Sequence, residues 1–456
     1  MSKPLHIVIL AAGEGTRMKS SRPKVLQTLA GRPMLTHLLD TAINLGPEKI
    51  HVVIGSGADL VKDTCQAYDV NWIEQEQRLG TGHAVMQAMP DIPGDATVLV
   101  LLGDHPLIPA VVLEELKAGG KTPLTVLTMR LEDPSGYGRI LRDANGSIQG
   151  IVEQRDATGA QRDIEEVNTG IIMAEASHLS KWLDRLNCDN ARQEYYLTDI
   201  FSMAHEEGCE ILGVIAPDPR DLQGANDRRQ LAELENRCRQ LAATSLMEAG
   251  VQLIDPARID VRGSVNTGRD VCIDVNVVLE GQNTLGDGVS IGPGCVVKDC
   301  ALAAGTSVHP HSVLEGVVTT GACDIGPFAR LRPGTELSEG CRIGNFVEAK
   351  NAKLGEGSKA SHLTYLGDST VGKGVNFGAG TITCNYDGAN KHQTIVGDDV
   401  FIGSNTALVA PVTVHTGATI GAGSTITKEA PEDALTVSRS RQVSIRNWKR
   451  PRKKDK

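Results

Sequence analysis

The chain has 456 residues, 46 Lys plus Arg against 56 Asp plus Glu, and a net charge of −10, enough chain for two or three domains. No apolar run approaches the ~20 residues of a bilayer-spanning helix. The ten cysteines include no C-x-x-C pair and the glycines show no Gly-X-Y period, which excludes a spanning helix, a zinc ribbon or disulfide framework, and collagen. Glycine is in excess, 49 residues or about 11% against a usual ~7%, while aromatics make up 3%.

From the N-terminus, His6 to Ala12 forms a continuous apolar strand, too short for a signal-peptide core and running straight into Gly13-Glu14-Gly15-Thr16-Arg17, so the default compartment is the cytoplasm. Pro33 opens a helix with Met34, Leu35, Leu38, Leu39, Ala42 and Ile43 at helical spacing and Gly46 just past its end. Strands follow at Ile50 to Ile54 and Val98 to Leu102. This alternation predicts a mostly parallel α/β sheet covered on both faces, with ligands beyond the carboxyl ends of its strands.

Two polar loops lie at such ends. In the first, glycines 13 and 15 let backbone N–H groups converge on an anion, and Arg17 and Lys24 add cations suited to a polyphosphate. It is neither a Walker A nor a Rossmann fingerprint, since Met18 stands in the place of the third glycine, and a G-x-G after a strand also suits a plain tight turn. In the second, Gly103-Asp104 ends a strand with one carboxylate, which suits a magnesium ion that keeps most of its waters. A turn or helix-capping aspartate reads the same way.

The run Leu10-Ala11-Ala12-Gly13-Glu14-Gly15-Thr16-Arg17-Met18 with Pro23-Lys24 resembles the sugar-1-phosphate nucleotidyltransferases, and the resemblance continues through Gln75, Gly80-Thr81, Gly136 to Arg139, Val152-Glu153, Val167 to Gly170, Glu194-Tyr195-Tyr196 and Gly224-Ala225-Asn226. It implies that Leu10, Ala11, Ala12, Gly13, Arg17, Lys24, Gln75, Gly80, Thr81, Leu102, Gly103, Asp104, Gly138, Glu153, Asn168 and Asn226 form a substrate site for UTP and a sugar phosphate. Asp104 and Asn226 would hold Mg2+. Glu14, where relatives often carry lysine, receives no binding role, and Leu102 and Arg192-Gln193 also depart from the family pattern.

Beyond residue 250 the period becomes six. Ile273, Leu279, Leu285, Ile291 and Val297 are six apart, as are Ile325, Leu331, Leu337 and Ile343, and Val396 through Ile426, with glycine often next in line. A hexapeptide repeat is a signature of a parallel β-helix whose aliphatic residues stack inward and whose small residues serve the corners. Register breaks near 298–302, 315–325 and 381–395, the last containing Ala389-Asn390-Lys391-His392, predict protruding loops. Such a solenoid serves as an oligomerisation scaffold or as an acyltransferase. His362 is the candidate base, since N-acetylation needs a group to take a proton from an attacking amine, and Arg332 and Lys350 are candidate cations for a sugar phosphate. His309 and His311 lack a third metal ligand nearby.

The order of the two halves, with Asn345-Phe346-Val347-Glu348, Ser361 to Tyr365 and Gly378 to Gly388, resembles the bacterial bifunctional family that makes UDP-N-acetylglucosamine. The resemblance implies a uridylyltransferase domain over 1–228, a helical linker over 229–249, and a left-handed β-helix acetyltransferase over 250–456. His362 would deprotonate glucosamine 1-phosphate for attack on acetyl-CoA. Arg332, Lys350, Tyr365 and Asn376 would bind the sugar phosphate, and Ala379, Asn385, Tyr386, Ser404, Ala422 and Arg439 the acetyl-CoA. It also implies a homotrimer through the β-helix, with no membrane insertion. The competing readings are a nucleotidyltransferase with an inert β-helix and a trimeric scaffold with a nucleotide-sensing domain. The basic tail, Lys449, Arg450, Arg452, Lys453, Lys454 and Lys456, suits a flexible or site-capping segment better than a nucleic-acid arm.

Overall fold

The computed structural model describes residues 3–55, 57–118 and 122–453; Lys454 and Lys456 of the basic tail lie outside them. Its contacts divide the chain into Met1–Cys238 and Arg239–Lys456, a division that falls inside one helix, Arg228–Glu248.

The first unit is built on a sheet of β1 (Leu5–Leu10), β2 (Lys49–Ile54), β3 (Asn71–Glu74), β4 (Thr97–Leu102), β5 (Leu124–Arg130), β6 (Arg139–Arg142), β7 (Ile148–Val152), β8 (Glu166–Glu175) and β9 (Ile211–Ile215), in the order β9-β5-β8-β4-β1-β2-β3. All neighbours along this path run parallel except β8, which is antiparallel to both β4 and β5. The β6–β7 hairpin hangs off β8 through Val167 and Arg139. Alternate residues of the central strands feed separate cores, Ile7, Ile9, Leu99 and Leu101 on one face and Val8, Val98 and Val100 on the other, which is why these strands read as unbroken apolar runs. Helix α1 (Met34–Asn44) follows Pro33 and buries Met34, Leu35, Leu38, Leu39 and Ala42, leaving Ile43 exposed. Gly46, just beyond, has φ 63°.

The second unit is a parallel β-helix. Its three faces repeat on each coil, and every neighbouring pair of strands in it is parallel, as in Cys272–Ile273 on Ser290–Ile291 and Val296–Lys298 on Val313–Glu315. The inward positions are buried along the whole column, from Ile273 and Leu279 to Ile420 and Ile426. Each such side chain contributes ~1.5–3 kcal/mol relative to exposure.

Two expectations are corrected. Val297 and Leu302, like Leu314 and Thr319, are buried inward residues only five apart, so the breaks at 298–302 and 315–325 are one-residue shortenings at a corner and project nothing. Only the third break carries a loop, a small hairpin closed by the antiparallel bridge of Tyr386 with Lys391. Glycines do turn corners, as Gly288 and Gly294 do at φ 68° and 70°, and Gly326 after Ile325 has φ 101°, but other glycines that directly follow an inward apolar residue, such as Gly378 and Gly403, are there for a different reason. A Cβ on Gly403 would lie 2.5 Å from Ala422 N, and one on Gly378 2.5 Å from Ser404 N. Coils stacked ~4.8 Å apart leave no room there for a side chain.

Candidate functional site

In the first unit the site forms where parallel strands end side by side. Leu10 pairs with Leu102, so the Ala11–Gly15 loop and the Gly103-Asp104 turn leave the sheet together, and Gly103 N–H donates to Leu10 O at 2.9 Å. A Cβ on Gly103 would press on Leu10 O, Ala11 and Val25. Gly15 has φ 63°, and a Cβ there would lie 2.6 Å from Lys24 Cβ, so this glycine admits Lys24 to the loop. Lys24 Nζ then sits 2.5 Å from Asp104 Oδ2 and donates to Asn226 Oδ1 at 3.2 Å. Burial opposes ionisation of Asp104, but Lys24 outweighs it and holds the carboxyl below the usual range. Behind it, burial keeps His105 neutral, and Gly224 lets the imidazole pack close, since a Cβ would come within 2.6 Å of His105 Cδ2.

Glu14 forms an ion pair with Arg78, so its charge is matched by a cation from the Gln75–Gly80 loop. Arg17 is exposed on the short turn Thr16–Met18. Gln75, just past the end of β3, is buried, and its amide nitrogen reaches Gly80 O at 3.3 Å and His83 Nδ1 at 2.9 Å. Gly80, at φ 112°, precedes helix α2 (Thr81–Ala88), where a Cβ would strike Tyr195 O at 2.6 Å. Thr81 Oγ1 accepts from Leu197 N–H at 3.2 Å.

Next to this loop cluster is a cavity of about 200 Å³ lined by Leu10, Thr81, Leu102, Tyr137, Gly138, Glu153, Asn168 and Thr198 among others. Asn168 N–H donates to Gly138 O at 2.9 Å, its side-chain oxygen is taken by Gly170 N–H, and Glu153 accepts from Thr198 Oγ1 at 3.1 Å. Burial pushes the Glu153 carboxyl up, and the neighbouring Asp199, half-buried and facing Glu153 and Asp156, is pushed up to about 6.

In the second unit one corner column carries His362. Strand Arg342–Asn345 pairs with Lys359–His362, setting Asn345 opposite His362, and His362 Nδ1 lies 3.1 Å from Asn345 Oδ1. An amide oxygen only accepts, so Nδ1 carries the proton and Nε2 keeps its lone pair. By the same register Ala379, Ser404 and Ala422 follow on successive coils, joined by Asn405 N–H to Ala379 O and Gly423 N–H to Ser404 O, both 2.8 Å. Arg439 folds back onto this column, Nη1 donating to Ala422 O at 2.7 Å.

At the far end of the next face lie the cations. Arg332 pairs with Glu348 at 2.9 Å. Lys350 is pushed below the ordinary lysine range by the adjoining Lys391 ammonium and then by Arg332. Asp368 takes Asn351 and Asn385 at 2.7 and 2.5 Å. Tyr365 packs over Gly367, where a Cβ would collide with its hydroxyl. The hairpin bearing Tyr386 and Lys391 is set by Asp387, which accepts from Ala389 and Asn390 N–H and from His392 Nε2 at 2.7 Å; these donors hold it well below the carboxylate range. Asn376 is half-buried on the strand Asn376–Phe377. One protomer therefore gathers Arg332, Lys350 and Lys391 at one edge of a face and His362 with the Ala379 column at the other.

Comparison with known proteins adds to this geometry. The MobA-like NTP transferase domain matches residues 7–144, and the bacterial transferase hexapeptide repeat matches 393–428. Three proteins described as "Bifunctional protein GlmU" match nearly end to end: those of Marinobacter nauticus, 55% identical over 99% of both chains; Alkalilimnicola ehrlichii, 54% over 99% of this chain and 97% of its own; and Stenotrophomonas maltophilia, 54% over the whole of both. The chain belongs to the GlmU family.

Membership of that bifunctional family brings both activities, uridylyl transfer and acetyl transfer. A solved nucleotidyl transferase from Methanothermobacter thermautotroptrophicus covers 52% of this chain and 98% of its own at 19% identity and a TM-score of 0.39, a likeness too weak to carry weight. No helix among the described residues is long and apolar enough to cross a membrane.

Two residues escaped the sequence reading. Lys391 was visible only as a lysine inside a register break. His83 gave no signal, because its contact with Gln75 depends on how α2 leaves the loop.

Proposed function

We propose that residues 1–228 carry the uridylyl transfer and 250–456 the acetyl transfer of a two-step synthesis of UDP-N-acetylglucosamine, with the helical segment 229–249 between them. The cluster of Lys24, Asp104 and Asn226 carries the first assignment. Two hard oxygens, Asp104 Oδ2 and Asn226 Oδ1, converge on one ammonium, an arrangement that fits a divalent cation sharing those oxygens and keeping its remaining waters. Mg2+ bound there would supply charge neutralisation to the triphosphate.

The chain's own residues do the positioning. The Ala11–Gly13 turn, whose Ala11 N–H is spent on Val53 O at 2.8 Å, would hold the phosphates through the N–H groups of Ala12 and Gly13 with Arg17 and Lys24, and Gln75, Gly80 and Thr81 would meet uracil. Leu10, Leu102, Gly103, Gly138, Glu153 and Asn168 would enclose the sugar, whose phosphate oxygen attacks the α-phosphorus and releases pyrophosphate. In the β-helix, His362 Nε2 would take the proton from the amine of glucosamine 1-phosphate as that nitrogen attacks the thioester carbon of acetyl-CoA, releasing the thiol. Arg332, Lys350 and Lys391 would hold the phosphate, with Tyr365 and Asn376 beside the sugar. The column of Ala379, Ser404 and Ala422, with Asn385, Tyr386 and Arg439, would line the extended acyl carrier.

A second copy is part of this reading. Phe328, Phe346 and Leu363 are 48%, 58% and 62% exposed, and the first two stack in one exposed ladder with His311, which supports burial against other protomers in a homotrimer. The ten cysteines, none of them in a disulfide among the described residues, support a reducing, cytoplasmic setting. Incubating the purified chain with acetyl-CoA, UTP, Mg2+ and glucosamine 1-phosphate should give UDP-N-acetylglucosamine and pyrophosphate. Product from pre-acetylated sugar phosphate alone would leave the β-helix an inert scaffold.

A further inference from the structure

The uracil side of the nucleotide site contains a constraint that these roles leave unused. Gln75 is 4% exposed, and its amide nitrogen contacts Gly80 O at 3.3 Å and His83 Nδ1 at 2.9 Å. A backbone carbonyl can only accept, so the side of the amide turned to Gly80 is the NH2 group. Its second hydrogen then meets His83 Nδ1, which must present its lone pair. With Nδ1 accepting, Nε2 carries the ring hydrogen, so the Gln87 amide 3.3 Å away has to turn its oxygen to it; the ring is otherwise held by its place on α2 and by stacking on Tyr195 at 6.3 Å. With both amide hydrogens engaged, Oε1 is the one polar atom of Gln75 left for a ligand, and no described residue is found donating to it.

We propose that His83 is a positioning residue that fixes Gln75 with its oxygen toward the nucleobase, so that the site selects a pyrimidine with an imide N–H over cytosine. The proposal rests on the reading in which Gln75 faces the base. Uracil carries a hydrogen on N3 and donates it to Oε1, whereas cytosine has a lone pair on N3 and meets Oε1 with repulsion. A freely rotating glutamine would flip and offer NH2 to cytosine instead. Discrimination therefore comes from the two acceptors that hold the amide, of which His83, which does not itself touch the nucleotide, makes the shorter contact, 2.9 Å against 3.3 Å for Gly80 O, so that the wrong base is left unpaired in a desolvated site.

The test is the ratio of kcat/KM for UTP to that for CTP, measured on the full chain with N-acetylglucosamine 1-phosphate and Mg2+. His83→Phe keeps a stacking ring without the lone pair, His83→Leu removes both, and His83→Asn restores an acceptor close to the place of Nδ1. Either apolar variant should lower the ratio by about tenfold or more, through a gain on CTP as well as a loss on UTP, while His83→Asn stays within about threefold of the wild type. General loosening of the fold lowers both substrates together and does not move the ratio. An unchanged ratio in whichever apolar variant folds overturns the proposal, as does an equal fall in His83→Asn. Gln75→Leu separates the two levels: if it weakens UTP use while the His83 variants keep the ratio, only the positioning role fails. If Gln75→Leu leaves UTP use intact, the base lies elsewhere and both fail.

Discussion

Replacing Asn345 with alanine tests whether the orientation of His362 matters to acetyl transfer. In the wild type Asn345 Oδ1 accepts the Nδ1–H at 3.1 Å and leaves Nε2 as the base. His362 is exposed, so in Asn345→Ala water replaces the lost acceptor and no buried donor is stranded. The penalty is then the net value of one neutral hydrogen bond, ~0.5–1.5 kcal/mol, which at the transition state is about 2- to 12-fold in kcat. Thiol release from acetyl-CoA, followed with a thiol reagent, should show that fall with KM for both substrates nearly unchanged and uridylyl transfer untouched. Asn345→Asp should move the acid limb of the kcat profile upward, because a carboxylate on Nδ1 stabilises the imidazolium. An unchanged kcat in Asn345→Ala would refute the orienting role. A loss beyond a thousandfold would place Asn345 on the reacting atoms and refute it equally.

Other outcomes follow from the same structure. Lys391→Met should raise KM for glucosamine 1-phosphate about tenfold with kcat little changed, more strongly at low salt, as initial rates across ionic strength will show. Gly344→Ala places a Cβ against the Ser361 carbonyl and should destabilise the β-helix by about 1–3 kcal/mol, lowering its melting temperature by several degrees. His51, buried and stacked on His6, is pushed down to about 4, chiefly by burial and then by His6. The fold therefore keeps it neutral, and the stability it contributes is full above the ordinary histidine pKa near 6.5 and is lost as pH falls from there toward 4. Urea denaturation of the wild type should weaken more steeply over that window than denaturation of His51→Gln, with His37 and His105 adding to the same slope.

Much of this was legible in the sequence because it rests on periodicity. The six-residue spacing marked the inward residues Ile273 to Ile426, all of them buried, and apolar runs ending in glycine marked β1 and β4. Antiparallel β8 was not legible, since a strand buried on both faces reads the same in either direction. The shortened coils at 298–302 and 315–325 were mistaken for loops because a missing residue and an inserted loop break a register alike. The partner that neutralises Glu14 beside a phosphate loop, Arg78, lies 64 positions away, beyond the reach of a local pattern. Lys391 and His83 depend on side chains meeting across loops, and no local pattern encodes that.

The central claim, two independent reactions on one chain, is tested most directly by measuring both activities in His362→Ala and Asp104→Ala. His362→Ala should lose acetyl transfer from acetyl-CoA and still form UDP-sugar from pre-acetylated substrate at a near-normal rate, while Asp104→Ala should show the mirror image. Equal loss of both activities in either folded variant would contradict the two-site account.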